Sequence, residues 1–232
     1  MSEIQGIQVV AFDAVGTLLH PRPRAPAVYA EIGRRFGSRH SIEVIAGRFR
    51  AAFTQEEEQD RRNGFKTSEE REIARWRAIV SKVLDDINDS ETCFQELFAH
   101  FARPESWSCD PDAEKILEHL AGQGYRLGIA SNYDHRLRSV VAGIRSLGLL
   151  QHVVISSDVG WRKPAREFFA ALCMALTAPP AQVLYIGDDP VNDLAGARDA
   201  GLMALLFDPQ GRFATAGVPR IGSLQDVIGV LQ

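Results

Sequence analysis

Five short apolar runs, separated by segments of helical length, constrain the fold of this chain most strongly. They cover residues 7–12, 126–130, 153–156, 183–186 and 203–207. The runs are largely continuous instead of alternating, which is typical of strands that are buried on both faces. Strands that alternate with helices predict parallel βαβ units with right-handed crossovers. We therefore predict an α/β protein with a doubly wound, Rossmann-like parallel sheet.

The helical segments of this predicted core carry recognisable boundary residues. Asp110 can cap a helix that has Pro111 at its first position and that ends near Gly122. A second helix is predicted over 134–146, before Gly148. A third, over 163–178, stops at two prolines.

Residues 20–107 interrupt this alternation of strands and helices. The stretch is rich in Arg, Glu, Phe and Ala and has no convincing buried strand. We predict helices over 25–36, 41–58, 68–86 and 91–101, the third of them opening with a capping-box pattern from Thr67 to Glu70. The chain is thus expected to consist of an α/β core, residues 1–19 and 108–232, and an inserted all-helical module, residues 20–107.

Composition and charge disfavour several classes of protein, including nucleic-acid-binding and membrane-spanning proteins. With 232 residues, 45% of them hydrophobic, the chain can bury a core without disulfides. The net charge of −4 and the lack of a dense basic block disfavour nucleic-acid binding. No apolar run approaches the ~20 residues that span a bilayer, and no signal peptide is visible at the start. Three scattered cysteines suit a reduced environment, so we expect a cytoplasmic protein.

Polar residues follow three of the predicted strands. Asp13, Ser131 and Asp188 each come at the end of an apolar run. In a doubly wound sheet, ligands bind beyond the carboxyl ends of the strands, so these side chains are expected to meet there together with Lys163. Each residue alone could merely cap the following helix, as Asp and Ser often do. Their joint placement favours a functional site.

Four motifs in order carry a resemblance to a known family. They are Asp13-Ala14-Val15-Gly16-Thr17, Ser131-Asn132, Lys163-Pro164 and Gly187-Asp188-Asp189 with Asp193. Together they resemble the haloacid dehalogenase superfamily of hydrolases, whose phosphatases use an aspartate nucleophile. The resemblance covers nearly the whole chain and implies that the helical insertion is a cap that closes over the active site.

The resemblance also implies a role for each motif. Asp13 is expected to be the nucleophile and, with the backbone carbonyl of Val15, a ligand of Mg²⁺. Asp188 is expected to be a further metal ligand and Asp193 an outer-shell partner. Ser131 and Asn132 are expected to bind and orient the phosphoryl group, and Lys163 to offset its charge. Asp189 occupies a variable position, Gly16 permits a tight turn, and Thr17 is expected to support the loop.

Val15 departs from the family pattern. Most phosphatases of the family carry there a second Asp that protonates the leaving group and later activates water. Such a group contributes roughly 10²–10⁴-fold to the rate, and valine can do neither task. Alkyl phosphates should therefore suffer most, whereas acyl phosphates and phosphoanhydrides leave without much protonation.

Three functions remain open from the sequence. The first is a Mg²⁺-dependent hydrolase of a small phosphorylated metabolite, acting through an aspartyl-phosphate. The second is a metal-free 2-haloacid dehalogenase-type hydrolase, favoured by Val15 and Ser131-Asn132 and disfavoured by the acidic cluster. The third is a non-catalytic binding or regulatory protein that retains the metal site. A monomer or a homodimer is expected in each case.

Other candidates are weaker. His20 could face the substrate, and Arg22, Arg24, Arg61 and Arg62 could meet an anionic substrate from the cap side. Surface roles are the simpler interpretation of all five. Trp76, Trp107 and Trp161 are interpreted as packing residues.

Overall fold

The structure is a computed structural model that describes residues 5–215 and 217–231. Its strands are β1 (Val9–Phe12), β2 (Leu19–Pro21), β3 (Trp107–Cys109), β4 (Arg126–Ser131), β5 (His152–Ile155), β6 (Val183–Gly187), β7 (Met203–Phe207) and β8 (Arg220–Ile221). Its helices are α1 (Ala25–Arg35), α2 (Ile42–Arg62), α3 (Glu69–Val83), α4 (Ser90–His100), α5 (Ala113–Gly122), α6 (Arg136–Gly143), α7 (Ser156–Val159), α8 (Arg166–Ala175) and α9 (Gly196–Asp199). A wide helical turn, Pro190–Ala195, leads into α9.

A six-stranded parallel sheet has the order β5-β4-β1-β6-β7-β8. The first strand, β1, lies in the middle, with Phe12 opposite Ile129 on one side and Ile186 on the other. This confirms the predicted doubly wound α/β class, since all five apolar runs form strands of this sheet. The register brings the ends of β1, β4 and β6 to one edge.

Both faces of the sheet are covered, which explains the continuous apolar runs. Along β1, Val10 and Phe12 belong to one buried cluster, together with Leu117 of α5 and Leu137 of α6. Val9 and Ala11 belong to a second cluster with residues of α8. Successive residues of a strand point to opposite faces, so a strand buried on both faces has no polar positions.

The helices α1–α4 pack around a hydrophobic cluster of their own. They lie where helices were predicted between residues 25 and 101. Ser41, Ser68 and Asp89 cap three of them, each accepting a hydrogen bond from a backbone N–H three residues later. The capping box predicted for Thr67 and Glu70 is wrong: Ser68 is the cap. No helix within residues 5–215 and 217–231 is long and apolar enough to cross a membrane.

A short antiparallel ribbon, missed by the sequence interpretation, joins the two ends of this helical insertion. Strand β2 pairs with β3, with His20 opposite Ser108 and Pro21 opposite Trp107. We predicted no strand in this stretch, and that was wrong because three-residue strands show no periodicity. All three predicted core helices also begin later than expected, α5 at Ala113, α6 at Arg136 and α8 at Arg166. The carboxylate of Asp110 instead accepts a hydrogen bond from the Asp112 amide within the preceding turn.

An exposed contact between the insertion and the core involves a histidine. The backbone amide of His135 donates to the Glu69 carboxylate (3.1 Å), and its ring bonds Asp158 (2.6 Å). Arg138 also pairs with Asp158. The hydrogen bond to Asp158, followed in effect by the charge of Glu69, raises the pKa of His135 above its ordinary value.

We expect His135 to make stability depend on pH near neutrality. Because its folded-state pKa is raised, its contribution is fully present below the unfolded pKa of about 6.5 and is lost as pH rises through the folded pKa. Denaturant unfolding of the wild type and of His135→Gln between pH 5 and 9 tests this. The difference in the free energy of unfolding should shrink with rising pH. A difference that stays constant would contradict the role of the protonated ring.

Candidate active site

Asp13 follows β1 directly and is almost completely buried. Its Oδ1 accepts hydrogen bonds from Lys163 Nζ (2.6 Å) and Ser131 Oγ (3.1 Å). Burial raises the pKa of Asp13, and the neighbouring carboxylate of Asp188 adds to this, while Lys163 offsets part of the rise. The three residues come from separate segments, so the predicted convergence of Asp13, Ser131 and Lys163 is present in the structure.

Lys163 is the central cation of the site. Its Nζ donates to Asp13 Oδ1 and Asp193 Oδ1, each at 2.6 Å, and lies 2.9 Å from the Tyr185 hydroxyl. Burial alone would lower the pKa of Lys163, but the charges of Asp13 and Asp193 outweigh it and hold the pKa well above its ordinary value. The ammonium therefore stays charged.

Two neighbours fix the position of Lys163. The Asn132 side chain accepts from the Lys163 amide (2.7 Å) and donates to the Lys163 carbonyl (3.0 Å). The Tyr185 hydroxyl donates to the Ala130 carbonyl (2.8 Å), so it can accept from the ammonium. Sequence reasoning missed Tyr185 because it lies inside the apolar run of β6. A buried tyrosine hydroxyl normally has a polar partner, which was the available signal.

Three carboxylates converge at the same edge of the sheet. Oxygens of Asp13, Asp188 and Asp193 all lie within 4.8 Å of one another. Burial, followed by the repulsion of Asp193, raises the pKa of Asp188 to about 6, and burial raises that of Asp193 to about 6. Hard carboxylate oxygens crowded in this way are the donors that Mg²⁺ prefers. The residues present therefore fit a divalent cation.

Gly16 makes this approach possible. It has φ +103°, and a Cβ at its position would lie 2.6 Å from the carboxylate oxygens of Asp188. The hydroxyl of Thr17, expected to support the loop, is buried without a hydrogen-bond partner among the described residues, so that expectation was wrong. The Asp189 side chain caps the helical turn, where its Oδ1 accepts from the Val191 and Asn192 amides (2.8 Å each).

A cavity of about 380 Å³, here called the main cavity, opens above these groups. Every residue predicted for the site lines it: Asp13, Val15, Ser131, Asn132, Lys163, Asp188 and Asp193. The helical insertion supplies much of the opposite wall, which is largely aromatic and includes Phe49, Phe53, Trp76, Phe94 and Phe98. A polar floor under an apolar wall is typical of a small-molecule site.

The weaker candidates lie outside the main cavity. None of His20, Arg22, Arg24, Arg61 and Arg62 lines it. Arg61 and Arg62 both pair with Glu58 of α2, and Arg61 also lines a smaller second pocket beside Asn132 and Lys163. Trp76 and Trp107, interpreted as packing residues, do line the main cavity, and so do Glu57 and Arg75, which the sequence interpretation did not single out. Which face of a cap helix meets the core depends on tertiary packing, so no local signal marked them.

Comparisons with known proteins agree with this geometry. Residues 7–201 match a family model of haloacid dehalogenase-like hydrolases. The chain belongs to this family and is a hydrolase of the haloacid dehalogenase superfamily.

Individual proteins are also similar to this chain in sequence or in structure. An uncharacterized hydrolase of Schizosaccharomyces pombe is 29% identical over 203 residues, 84% of this chain and 88% of its own length. A ribulose-1,5-bisphosphate 5-phosphatase of Halopiger xanaduensis is 34% identical over 108 residues, 45% of this chain and 44% of its own. The L-2-haloacid dehalogenase of Xanthobacter autotrophicus has the same fold, with a TM-score of 0.75 at 18% identity over 97% of this chain and 98% of that one.

Replacing Gly16 by Ala should lower the free energy of unfolding by about 1–3 kcal/mol, because the new Cβ is strained at positive φ and meets Asp188. Denaturant unfolding measures the change. The matched control is Gly122→Ala, at a position where a Cβ has no neighbour within 4 Å and φ is not positive. If both variants lose equal stability, the close approach of Asp188 is not what requires Gly16.

Proposed function

We propose that this hydrolase cleaves a small phosphorylated metabolite with the help of Mg²⁺, through an aspartyl-phosphate on Asp13. The observation that carries the proposal is the convergence of Asp13, Asp188 and Asp193 around the Lys163 ammonium at the floor of the main cavity. The phosphatase similar to part of this chain supports phosphate chemistry.

In the proposed reaction, a carboxylate oxygen of Asp13 attacks phosphorus and the ester oxygen leaves with the bonding electrons. Water then attacks the phosphorus of the aspartyl-phosphate, releasing phosphate and the Asp13 carboxylate. The hydrogen bonds from Lys163 and Ser131 hold one Asp13 oxygen in a defined direction. A positively charged Lys163 also lowers the cost of bringing a phosphoryl group to a carboxylate.

Asp13 and Asp188 would hold the cation, with the carbonyl of Val15 as a further ligand. When bound, Mg²⁺ would supply positive charge that offsets the negative charge of the nucleophile and of the phosphoryl oxygens. Asp193 stays bonded to Lys163 and to the Asp189 amide (3.1 Å), which suits an outer-shell role. Asn132 positions Lys163, since both ends of its amide bind that residue's backbone.

We also propose that α1–α4 form a cap. Their separate hydrophobic cluster and the ribbon at their two ends support a module inserted at residues 20–107 into a core of residues 1–19 and 108–232. We expect the connections between the two parts to lie within β2 and β3. In this arrangement the cap provides the cavity wall that selects the substrate, and the core provides the residues that carry out the reaction.

Val15 limits the leaving groups that this site can expel. The side chain lines the main cavity and is 36% exposed. It can neither protonate a leaving oxygen nor activate water. A strongly basic alkoxide therefore leaves slowly, while an acyl or aryl oxygen leaves readily.

Val15→Asp should raise the turnover of an alkyl phosphate by up to about 10²-fold, and that of an acyl phosphate much less. The reason is that only the alkoxide needs a proton in order to leave. Steady-state kinetics on both substrates, with Val15→Asn as the matched control that cannot give up a proton, measure the difference. Equal gains for both substrates would show that Val15 does not limit leaving-group protonation.

Asp13→Asn should abolish hydrolysis of every phosphate substrate, on the order of 10³-fold or more, because they share the nucleophile. The variant keeps the size of the side chain. Phosphate release is measured with aryl and acyl phosphates, with Mg²⁺ and with a chelator. Activity that survives the substitution would exclude the covalent mechanism.

A second function, a metal-free dehalogenase of 2-haloacids, is favoured by two observations. Lys163 already compensates the charge of Asp13, and the cavity wall is aromatic. In that reaction the Asp13 carboxylate displaces halide from carbon. Halide release from 2-haloacids in the presence of a chelator would support it over the phosphatase. Binding of Mg²⁺ without turnover of either class would favour a regulatory protein.

A further inference from the structure

Arg75 of α3 is a buried cation in the wall of the main cavity. Its side chain is 1% exposed. Its Nε donates to Asp60 Oδ2 (3.1 Å), and its guanidinium carbon lies 4.6 Å from the centre of the Phe53 ring. Its Nη2 has no hydrogen-bond partner within the part of the chain that the structure describes. A buried donor without a partner is costly, so a group that occupies the cavity can gain by accepting from it.

The ion pairs around Arg75 contain more cations than carboxylates. Asp60 is shared by Arg71 (2.8 Å), Arg75 (3.1 Å) and Arg162 (3.3 Å). The complete ion cluster joins four cations to three carboxylates: Arg71, Arg75, Lys82 and Arg162 with Glu56, Asp60 and Glu72. These ion pairs hold one more cation than carboxylates, and Arg75, whose Nη2 has no partner among the described residues, lines the cavity.

Glu57 is the remaining acidic side chain of the insertion that lines this part of the cavity without an ion pair among the described residues. Burial raises the pKa of Glu57, the positive charge of Arg75 is the next largest influence and lowers it, and the carboxylates of Asp189 and Asp60 raise it further. Burial, followed by repulsion from Arg162, lowers the pKa of Arg75 to about 10, so the guanidinium stays charged at pH 7. Glu57 thus interacts with Arg75 through its charge but forms no ion pair with it, so Nη2 is left without an acceptor among the described residues.

We propose that Arg75 binds a carboxylate on the part of the substrate that is not hydrolysed. The proposal rests on the proposed phosphatase function and names its substrate class, a small phosphate ester with a carboxylate at its other end. One guanidinium carries one positive charge and therefore matches a monoanion better than a second phosphate dianion. The aromatic wall formed by Phe49, Phe53 and Phe98 suits a short apolar body between the two anionic ends.

A matched pair of substrates tests the proposal. 4-Carboxyphenyl phosphate and 4-carbamoylphenyl phosphate differ in charge at the remote end, and both have an aryl leaving group that needs no general acid. We expect the wild type to prefer the carboxylate in kcat/KM. Arg75→Gln should reduce that preference roughly tenfold or more, as for the loss of a charge-assisted hydrogen bond. Arg75→Lys should retain part of it.

Arg71→Gln is the matched control. Arg71 lies one turn earlier on α3 and binds the same Asp60, but it does not line the main cavity. Its substitution should leave the preference unchanged. Because the preference is a ratio within each variant, a smaller folded fraction cancels. Equal losses in Arg71→Gln and Arg75→Gln would overturn the proposal, since both would then act through the ion cluster alone.

A binding measurement separates this proposal from the phosphatase function. Calorimetry with benzoate and with neutral benzamide needs no turnover. Benzoate should bind the wild type and Arg71→Gln more tightly than Arg75→Gln, and benzamide should not distinguish the three. Benzoate binding that ignores Arg75 overturns the carboxylate site, even if both aryl phosphates are hydrolysed. If instead benzoate binding depends on Arg75 but no phosphate ester is hydrolysed, the proposed phosphatase function is wrong and the carboxylate site at Arg75 stands.

Discussion

The buried ammonium of Lys163 is the interaction on which the rest of the active site depends. It lies between Asp13 and Asp193, so two carboxylates that would otherwise repel each other are held in one place. Removing one member of such a buried group leaves an uncompensated charge, which typically costs about 3–5 kcal/mol. The three residues belong to distant parts of the chain, and their attraction therefore also fixes how the loops beyond β1 and β6 meet.

Much of the fold was predictable because each apolar run indicates by its own composition that it forms a buried strand. A strand buried on both faces has no polar positions, and all five runs form strands of the parallel sheet. The site residues could be located for a related reason. Parallel strands end at a common edge, so Asp13, Ser131 and Asp188 had to be neighbours once the strands were known.

The features that escaped prediction depend on contacts between distant residues. The β2–β3 ribbon is held by pairing between residues that are distant in sequence, such as His20 and Ser108, which are 88 positions apart, and has no pattern of its own. Tyr185 looks like one more apolar strand residue until Lys163 is found beside its hydroxyl. Arg75 is one of many arginines in the insertion, and only the packing of α2 against α3 shows that it is buried in the cavity wall.

Adjacent residues tie the two parts of the molecule together. Lys163 points among the carboxylates of the core, whereas Arg162, its neighbour in sequence, enters the ion cluster of α2 and α3 through Asp60 and Glu72. Two adjacent residues thus contribute one side chain to the active site and one to the attachment of the helical insertion. An insertion transplanted from a relative with another specificity would have to bring acidic residues at these two positions. Without them, Arg162 would be a buried cation without a carboxylate partner, next to Lys163 in the active site. The helical insertion of this hydrolase is therefore not freely interchangeable with that of a relative.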